Sequence, residues 1–548
     1  MAYPTGVRAW RIKEFSNAHK NFKQPLDHNQ SYDLFIDDEE FTRLDQLTQY
    51  SKCTENIQWV IQDAMDKKFN LRAMGSGWSL SKVAVSDDAI VNTKNLRHKF
   101  SLSKENFDTG YLESGAIPEN HIFLQCGNTI IKINDHLEKH LRPAKSLRAS
   151  GGSNGQTIVG AFSTGTHGAA LNFGAISEMV LGLHIITGPH QHVYIERSSR
   201  PITSKVFHQK LGAQVFVDDD LFNAALVSFG SFGIIHGVLI EVEDKFLLEQ
   251  KLLRVAFDDD MEKAVTQGDF SAIRNHLKYP LSDAEHILYH FEMAINPHDF
   301  EYNSVGKGVY IRSMYKTYST DLPRRDPVEM KYTYGDDTLG LIQTVLDTVE
   351  SSVGFLNRAL IPKLVNALFD VAYDRPEEAT GTIGETSTAT KFRGKLFSAA
   401  FGLDRKDVKS VIDVILKINE NTKLAGVMAF RFLKGTKATL GFTKWENSCV
   451  LELDGADASI NYQFMNEMAK ELERKAIDFT LHWGKINRLL DRRLVHKMYG
   501  EQHVLNWKKQ RSRIMTPDVQ KVFNNEFLES CGLDEYVVYD KVPNGIFV

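Results

Sequence analysis

Between Arg148 and Gly168 the chain reads Arg-Ala-Ser-Gly-Gly-Ser-Asn-Gly-Gln-Thr-Ile-Val-Gly-Ala-Phe-Ser-Thr-Gly-Thr-His-Gly. Gly151, Gly152, Gly155, Gly160, Gly165 and Gly168 stand among short hydroxyl residues, around one apolar run too short to be a helix of its own. Glycine lets a ligand come close to main-chain N–H groups, and Ser150, Ser153, Ser163, Thr164 and Thr166 add donors on short stems. The segment reads as a cradle for an extended, anionic ligand; a pair of linked turns at a sheet edge is the plainer alternative. A second cradle lies upstream, where Leu71, Arg72 and Ala73 lead into Met74, Gly75, Ser76, Gly77, Trp78 and Ser79. Neither loop is a G-x-x-x-x-G-K-[ST] phosphate loop, and Gly75-x-Gly77 lacks the third glycine and following helix of a dinucleotide fingerprint. Two glycine-serine loops about 75 residues apart, each after a short strand, suggest one ligand lying across a sheet.

The elements that must position these loops alternate between short strands and helices. Ile57–Phe69 has helical spacing, 90–93 and 122–127 read as strands, and 129–140 puts Ile130, Ile133 and Leu137 on one helix face. Residues 179–187 and 193–196 flank a turn-rich centre and read as a hairpin whose tip carries solvated His190 and His192, without the third ligand a metal needs. Gly230–Val242 is a glycine turn running into a strand. From about residue 250 the strands lengthen: 286–297, 310–315, 426–432 and 449–453, with helices at 405–421 and 461–476. A charged, proline-containing loop is expected at 318–335, apolar helical material at 339–373, and a loop or lid at 377–384.

The chain has 548 residues, more than one hydrophobic core usually serves. Its 42% apolar and 25% charged residues are those of an ordinary globular protein, and a net charge of −5 gives no reason to expect nucleic acid or an anionic membrane. Cys53, Cys126, Cys449 and Cys531 are far apart, indicating neither a disulfide framework nor a zinc site. The N-terminus lacks a signal-peptide apolar region and no run is long enough to span a membrane, so a cytoplasmic location is expected.

Four pieces in order carry a family resemblance: Arg72-Ala73-x-Gly75-Ser76-Gly77-x-Ser79, Gly155 to Gly168, Gly230-Ser231-Phe232-Gly233-Ile234-Ile235, and His482-Trp483-Gly484-Lys485. The chain resembles the FAD-linked oxidase superfamily with the vanillyl-alcohol-oxidase (PCMH-type) flavin domain, nearest its aldonolactone, alditol and flavin-linked cholesterol oxidase branches. The resemblance implies an α+β protein: an N-terminal extension at 1–50, a two-subdomain FAD-binding domain at 51–245, a substrate (cap) domain at 246–490 with an antiparallel sheet flanked by helices, and a segment at 491–548 returning to the flavin domain. It implies FAD against Met74–Ser79, Ser150–Ser153, Gly155, Gln156, Gly160, Ser163–Gly165, His167, Gly168 and Gly233–Ile235. Trp78 stands where many relatives carry a tethering histidine, and no cysteine lies near Ser153 or Asn154, so non-covalent FAD is expected.

In the alditol and cholesterol oxidase branches a strand carries a Glu-x-Arg pair; here it reads Ala429-Phe430-Arg431, keeping the arginine and losing the carboxylate. Arg431 is then the expected stabiliser of the developing oxyanion or of the flavin N1–C2=O locus, with a strand arginine on an outer face as the alternative. Lys485 matches a family lysine as charge stabiliser or base, its corner having no obvious packing purpose. His482, whose ordinary pKa suits proton transfer near neutrality, and Glu292, a solvated strand glutamate on the alternative reading, are further candidates for the base. The implied activity is oxidation of a CH–OH group of a small molecule, lactone, polyol, sterol or other secondary alcohol, with O2 as acceptor. The apolar strands favour a larger, less polar substrate. A dehydrogenase or biosynthetic oxidase acting on an amine, enol or ring carbon, and a flavin-binding module without catalysis, are the rival readings.

Overall fold

The computed structural model describes residues 3–27, 31–36, 39–319, 356–373, 378–386 and 395–538. Most of the expected 318–335 loop, residues 339–355 of the expected helical stretch, and Glu377 lie outside them. The first sheet joins β1 (Val7–Trp10), β2 (Ser31–Leu34), β3 (Leu71–Met74) and β4 (Ala89–Asn92) in the order β1-β2-β4-β3. Residues 1–50, expected as an extension, therefore supply two strands of this sheet. Helix α1 (Gln46–Lys67) starts well before Ile57, because Asp45 caps it by accepting hydrogen bonds from the Leu47 and Thr48 N–H groups. Its apolar face, Ile57, Val60, Ile61 and Ala64, is buried.

The second sheet joins β5 (Lys99–Ser101), β6 (His121–Gln125), β7 (Val180–Gly188), β8 (Gln191–Glu196), β9 (Gln214–Val217) and β10 (Ile234–Asp244) in the order β9-β8-β7-β10-β6-β5. The strand Lys145–Leu147 pairs with the end of β10 and delivers the chain to the longer glycine loop and to helix α2 (Ile158–Ser163). The expected hairpin is β7–β8, but His192 is not a solvated tip residue. Its Nδ1 lies 2.8 Å from Nε2 of buried His184, whose Nδ1 meets the Tyr50 hydroxyl at 2.6 Å, and Tyr50 stacks on His236 at 4.0 Å. Among the described residues no group of three or more His, Cys, Asp or Glu is placed to hold a metal.

The third sheet is wholly antiparallel among the described residues. It joins β11 (Leu247–Val255), β12 (Ile287–Ile295), β13 (Val309–Thr317), β14 (Glu378–Gly381), β15 (Leu396–Asp404), β16 (Gly426–Lys434), β17 (Asn447–Ala456) and β18 (Phe479–Leu481), ordered β14-β11-β13-β12-β16-β17-β15-β18. Residues 378–381, expected as part of a loop or lid, are thus an edge strand hydrogen-bonded to β11. Helix α3 (Leu356–Ala372) packs Ile361, Val365, Leu368 and Phe369 against Ala294, Ala429 and Ala456 on one face. On the other, Phe291, Met293, Phe430, Phe432, Leu451 and Leu453 share a core with helices α4 (Val408–Asn421) and α5 (Ser459–Arg474). Side chains alternate along a strand, so burying this apolar set forces Glu292, Arg431, Glu452 and Asp454 to the opposite face.

The C-terminal segment binds the chain back onto the first two sheets. Helix α6 (Glu501–Arg513) places buried Trp507 with its Nε1 donating to Val227 O at 3.1 Å, and buried Arg511 with its Nε donating to Ser231 O at 2.9 Å. Asn525 accepts from Arg72 Nη2 at 2.9 Å, while Arg72 Nη1 donates to Phe229 O at 3.0 Å. The turn at 227–233 is thereby fixed at three carbonyls, those of Val227, Phe229 and Ser231, before β10 begins.

Burial holds several histidines neutral: His236 is pushed down to about 3 and His184 well below its ordinary value. Because the unfolded chain binds these protons and the folded chain does not, stability present above pH 6.5 is lost as pH falls towards the folded values. Each such histidine contributes about 1.4 kcal/mol per pH unit in that window. Urea midpoints should therefore fall steeply between pH 7 and 5.5, and His236→Gln should flatten the slope. A midpoint independent of pH in this range would contradict the buried, neutral assignment.

Candidate functional site

The two glycine loops meet back to back. The Trp78 ring packs on Gly155, where a Cβ would lie 2.1 Å from the indole. With its amide oriented to satisfy both neighbours, Gln156 donates to Ser153 O at 2.8 Å and accepts from Trp78 Nε1 at 3.2 Å. A Cβ on Gly75 would stand 2.2 Å from Thr157 Oγ1, so the loops interlock only as glycine. The apolar run Ile158–Ser163, read as too short for a helix, forms one because Thr157 accepts from the Gly160 N–H and Ile158, Ala161 and Phe162 are buried.

Between these loops and the third sheet lies a cavity of about 380 Å³. Met74–Ser79, Ser150–Ser153, Gln156, Gly160, Ser163, Thr164, His167, Gly168, Gly233 and Ile235 line it, as do Glu292, Arg431, His482 and Lys485. Gly155, Gly165 and Ile234 stand behind the lining. Gly155 backs the Trp78 ring, Gly165 takes φ +83° against Phe442, and Ile234 is buried at the start of β10. The buried hydroxyls of Ser76, Ser150 and Ser163 have no hydrogen-bond partner among the described residues. Unanswered donors around a close glycine cradle suit an extended, oxygen-rich group such as the FAD pyrophosphate and ribityl chain.

The opposite wall is charged. Glu292 faces Arg431 directly across β12–β16, and Ala429 faces Glu452 directly across β16–β17. Arg431 Nε donates to Glu292 Oε2 at 2.9 Å and its Nη1 lies 3.0 Å from Glu452 Oε2. Lys485 Nζ donates to Glu452 Oε1 at 2.8 Å and stands 3.8 Å from Asp454 Oδ1; Arg312 Nη1 is 3.5 Å from Glu292 Oε1. A carboxylate, that of Glu452, thus stands directly across from Ala429 on the neighbouring strand. The sheet is also bolted to the cradle: Leu171 N donates to Tyr289 O at 2.8 Å, Tyr289 Oη donates to Arg148 O at 2.7 Å, and a Cβ on Gly152 would lie 3.5 Å from the Arg431 guanidinium.

Burial alone would raise both glutamates. Arg312 and Arg431 outweigh it at Glu292, and Arg431 and Lys485 outweigh it at Glu452, holding each below the usual carboxylate range. Glu292 is thus neither solvated nor a free base; it fixes Arg431. His482 is also no neutral-pH base. Burial and then His167 push it well below its ordinary value, and its Nδ1 accepts the Gly484 N–H at 3.0 Å. His167, pushed by burial to about 4, donates from Nδ1 to Gly168 O at 3.1 Å.

The His482–Lys485 corner, read as lacking a packing purpose, has one. Trp483 is fully buried, donates to Leu440 O at 2.8 Å and stacks on Tyr499, while Gly484 O accepts the Leu80 N–H at 2.8 Å just beyond the shorter glycine loop. Sequence reasoning missed Glu452, Asp454 and Arg312. The alternation Leu451-Glu452-Leu453-Asp454 is the kind of signal that singled out Glu292, and it could have found the first two.

Residues 48–193 match a family model described as an FAD binding domain. The chain is 26% identical over 209 residues to the D-arabinono-1,4-lactone oxidase of Candida glabrata and 24% identical over 205 residues to that of Saccharomyces cerevisiae, 38% and 37% of this chain respectively. These alignments cover about a third of the length of those relatives, 34% and 33%. A solvent-stable cholesterol oxidase superposes with a TM-score of 0.65 over 97% of this chain and 99% of its own at 12% identity, and the cholesterol oxidase of B. sterolicum with 0.65 over 96% and 98% at 12%. The fold is that of a flavoprotein with a PCMH-type FAD-binding domain. The match places an FAD binding domain at residues 48–193, within the fold shared with these solved oxidases.

Removing one partner of a buried ion pair typically costs about 3–5 kcal/mol. Glu452→Ala should lower unfolding stability by an amount of that order, and adding Ala429→Glu, directly opposite, should recover part of it. Equal denaturant midpoints for the wild type and Glu452→Ala would contradict the shared-carboxylate arrangement.

Proposed function

We propose that this protein is a flavin-dependent oxidoreductase that holds FAD non-covalently in this cavity and oxidises a CH–OH group of a small molecule, with O2 as electron acceptor. One observation carries the reading: Arg431, Glu452 and Lys485 border the same cavity as both glycine loops. Ser76, Ser150, Ser163 and the main chain of the two loops would hold the cofactor, and the indole of Trp78 makes no covalent tether. The division at about residue 245 belongs to this reading, supported by β10 ending at Asp244 and β11 opening at Leu247 in a different sheet.

Bound FAD supplies a two-electron acceptor for the hydride of a substrate C–H bond. The chain does the rest. Arg431, held by Glu292 and Glu452, presents a fixed cation to the oxygen that gains negative charge as the hydroxyl proton departs. Glu452 draws Arg431 and Lys485 to one point, so that Lys485 can orient the hydroxyl. The interlocked loops and the sheet bonded to them hold these groups on one cavity.

Among the relatives named above are a lactone oxidase and a sterol oxidase. The charged wall formed by Glu292, Arg312, Arg431, Glu452, Asp454 and Lys485 supports a hydroxylated, polar substrate of the sugar-lactone type over the larger, less polar one suggested by the apolar strands. The four cysteines are buried free thiols, which suits a reducing, cytoplasmic setting. Among the described residues no helix is long and apolar enough to cross a membrane.

Acid precipitation of the purified protein should leave yellow FAD in the supernatant, and an anaerobic panel of D-arabinono-1,4-lactone, xylitol and cholesterol should bleach the bound flavin with at least one member. Arg431→Met should lower kcat by about 10²–10³ with FAD content unchanged, as for loss of an oxyanion donor. A yellow pellet would contradict non-covalent binding, and a colourless protein that takes up no FAD would overturn the function.

A further inference from the structure

Glu452 and Asp454 sit two residues apart on β17, on the cavity face of one strand, and their surroundings divide them. Glu452 is gripped by two cations and its side chain is 5% exposed. Asp454 is the looser of the pair: its side chain is 26% exposed, and Lys485 approaches only to 3.8 Å. Asp454 Oδ1 accepts one short hydrogen bond, 2.5 Å, from Ser398 Oγ on β15, where Ser398 is its direct cross-strand partner. A carboxylate positioned by one hydroxyl and open towards a cavity has what a proton acceptor needs: a fixed oxygen, a free direction of approach and a way out for the proton.

Resting on the reading of the site as an alcohol-oxidising one, we infer that Asp454 is the catalytic base, taking the hydroxyl proton of the substrate while Glu452 stays ionised as the anchor of Arg431 and Lys485. The balance is simple. The substrate O–H and C–H bonds break, the O–H electron pair becomes the second bond of the new C=O, the proton passes to an Asp454 carboxylate oxygen, and the hydride leaves to the bound FAD oxidant. Asp454 then releases its proton to solvent through its exposed edge.

The charged and titratable groups around Asp454 are consistent with the division of labour. Glu452 on its own strand, Arg431 on β16, Lys485 in the corner after β18 and Tyr373 after α3 all lie within its electrostatic reach, and Ser398 faces it from β15. Burial raises its pKa and Glu452 raises it further, while Lys485, Ser398 and Arg431 pull it down; the balance is upward. At Glu452 the balance is strongly downward. Two carboxylates whose environments push their pKa values apart are the pattern by which acid–base and electrostatic roles are told apart.

The test uses the FAD-loaded full-length protein in three forms: wild type, Asp454→Asn, which keeps an oxygen to accept the Ser398 hydrogen bond, and Ser398→Ala. Flavin absorbance is titrated between pH 4 and 9 without substrate, and kcat/KM is followed over the same range with the panel alcohol that bleaches the wild type fastest. The wild type should show one spectral transition above the ordinary carboxylate range, matched by an inflection below which kcat/KM falls. Asp454→Asn should lose both and at least 100-fold in kcat/KM while keeping its FAD. Ser398→Ala should shift both to higher pH, since its hydroxyl favours the ionised form. If alcohols bleach the wild type but Asp454→Asn keeps the rate and the inflection, the base is elsewhere and the oxidase reading stands. If no alcohol bleaches the wild type, the oxidase reading itself fails and takes this assignment with it.

Discussion

A carboxylate shared by two cations, Glu452 between Arg431 and Lys485, is the constraint on which the site depends. Three cations (Arg312, Arg431, Lys485) and three carboxylates (Glu292, Glu452, Asp454) share one wall of a cavity. Burying any of them alone would be prohibitive, and burying them together is tolerable only if each is answered by a neighbour at hydrogen-bond distance. Antiparallel pairing aligns the five strand residues of this set, and Lys485 reaches Glu452 from the turn after β18. Glu292 faces Arg431, Ala429 leaves room opposite Glu452, and Ser398 faces Asp454. The apolar partners on the other face, locked against α4 and α5, prevent any one-residue slip that would turn the charged row into the core.

The same sheet must also be held against the glycine loops, and the structure does this with hydrogen bonds and with the close approach of Gly152 to Arg431. Leu171 and Tyr289 tie the end of the longer loop to β12, while Gly484 and Leu80 tie the Lys485 corner to the residues after the shorter one. Gly152 brings the cradle up to the guanidinium of Arg431. The glycine loops and the charged wall are therefore tied to each other at both ends, the arrangement that positioning a reactant would ask for.

The loops were legible in the sequence because their meaning is local: glycine and serine at close spacing need no knowledge of what lies across from them. The strands carrying Glu292 and Arg431 and the helix at 408–421 were legible from periodicity, as were β7 and β8. The alternation Leu451-Glu452-Leu453-Asp454 marks Glu452 as a strand carboxylate, but that it stands directly across from Ala429 and beside Arg431 follows only from the register between β16 and β17, which nothing local encodes. The exposure of Glu292 and the protonation of His482 were misjudged for the same reason, since both depend on side chains from distant segments. Glu378–Gly381 looked like a loop because threonine and glycine dominate it, and its pairing with β11 outweighs that composition. Trp483 looked idle because its partners, Leu440 and Tyr499, are remote in sequence or follow the turn.

The most direct test of the account is a crystal structure of the protein loaded with FAD. The account predicts the pyrophosphate and ribityl chain along the loops at 75–79 and 150–168, within hydrogen-bond reach of the Ser76, Ser150 and Ser163 hydroxyls, and the isoalloxazine end facing Arg431, Glu452 and Lys485. Flavin bound with its ring turned away from that charged wall, or bound outside this cavity, would contradict it.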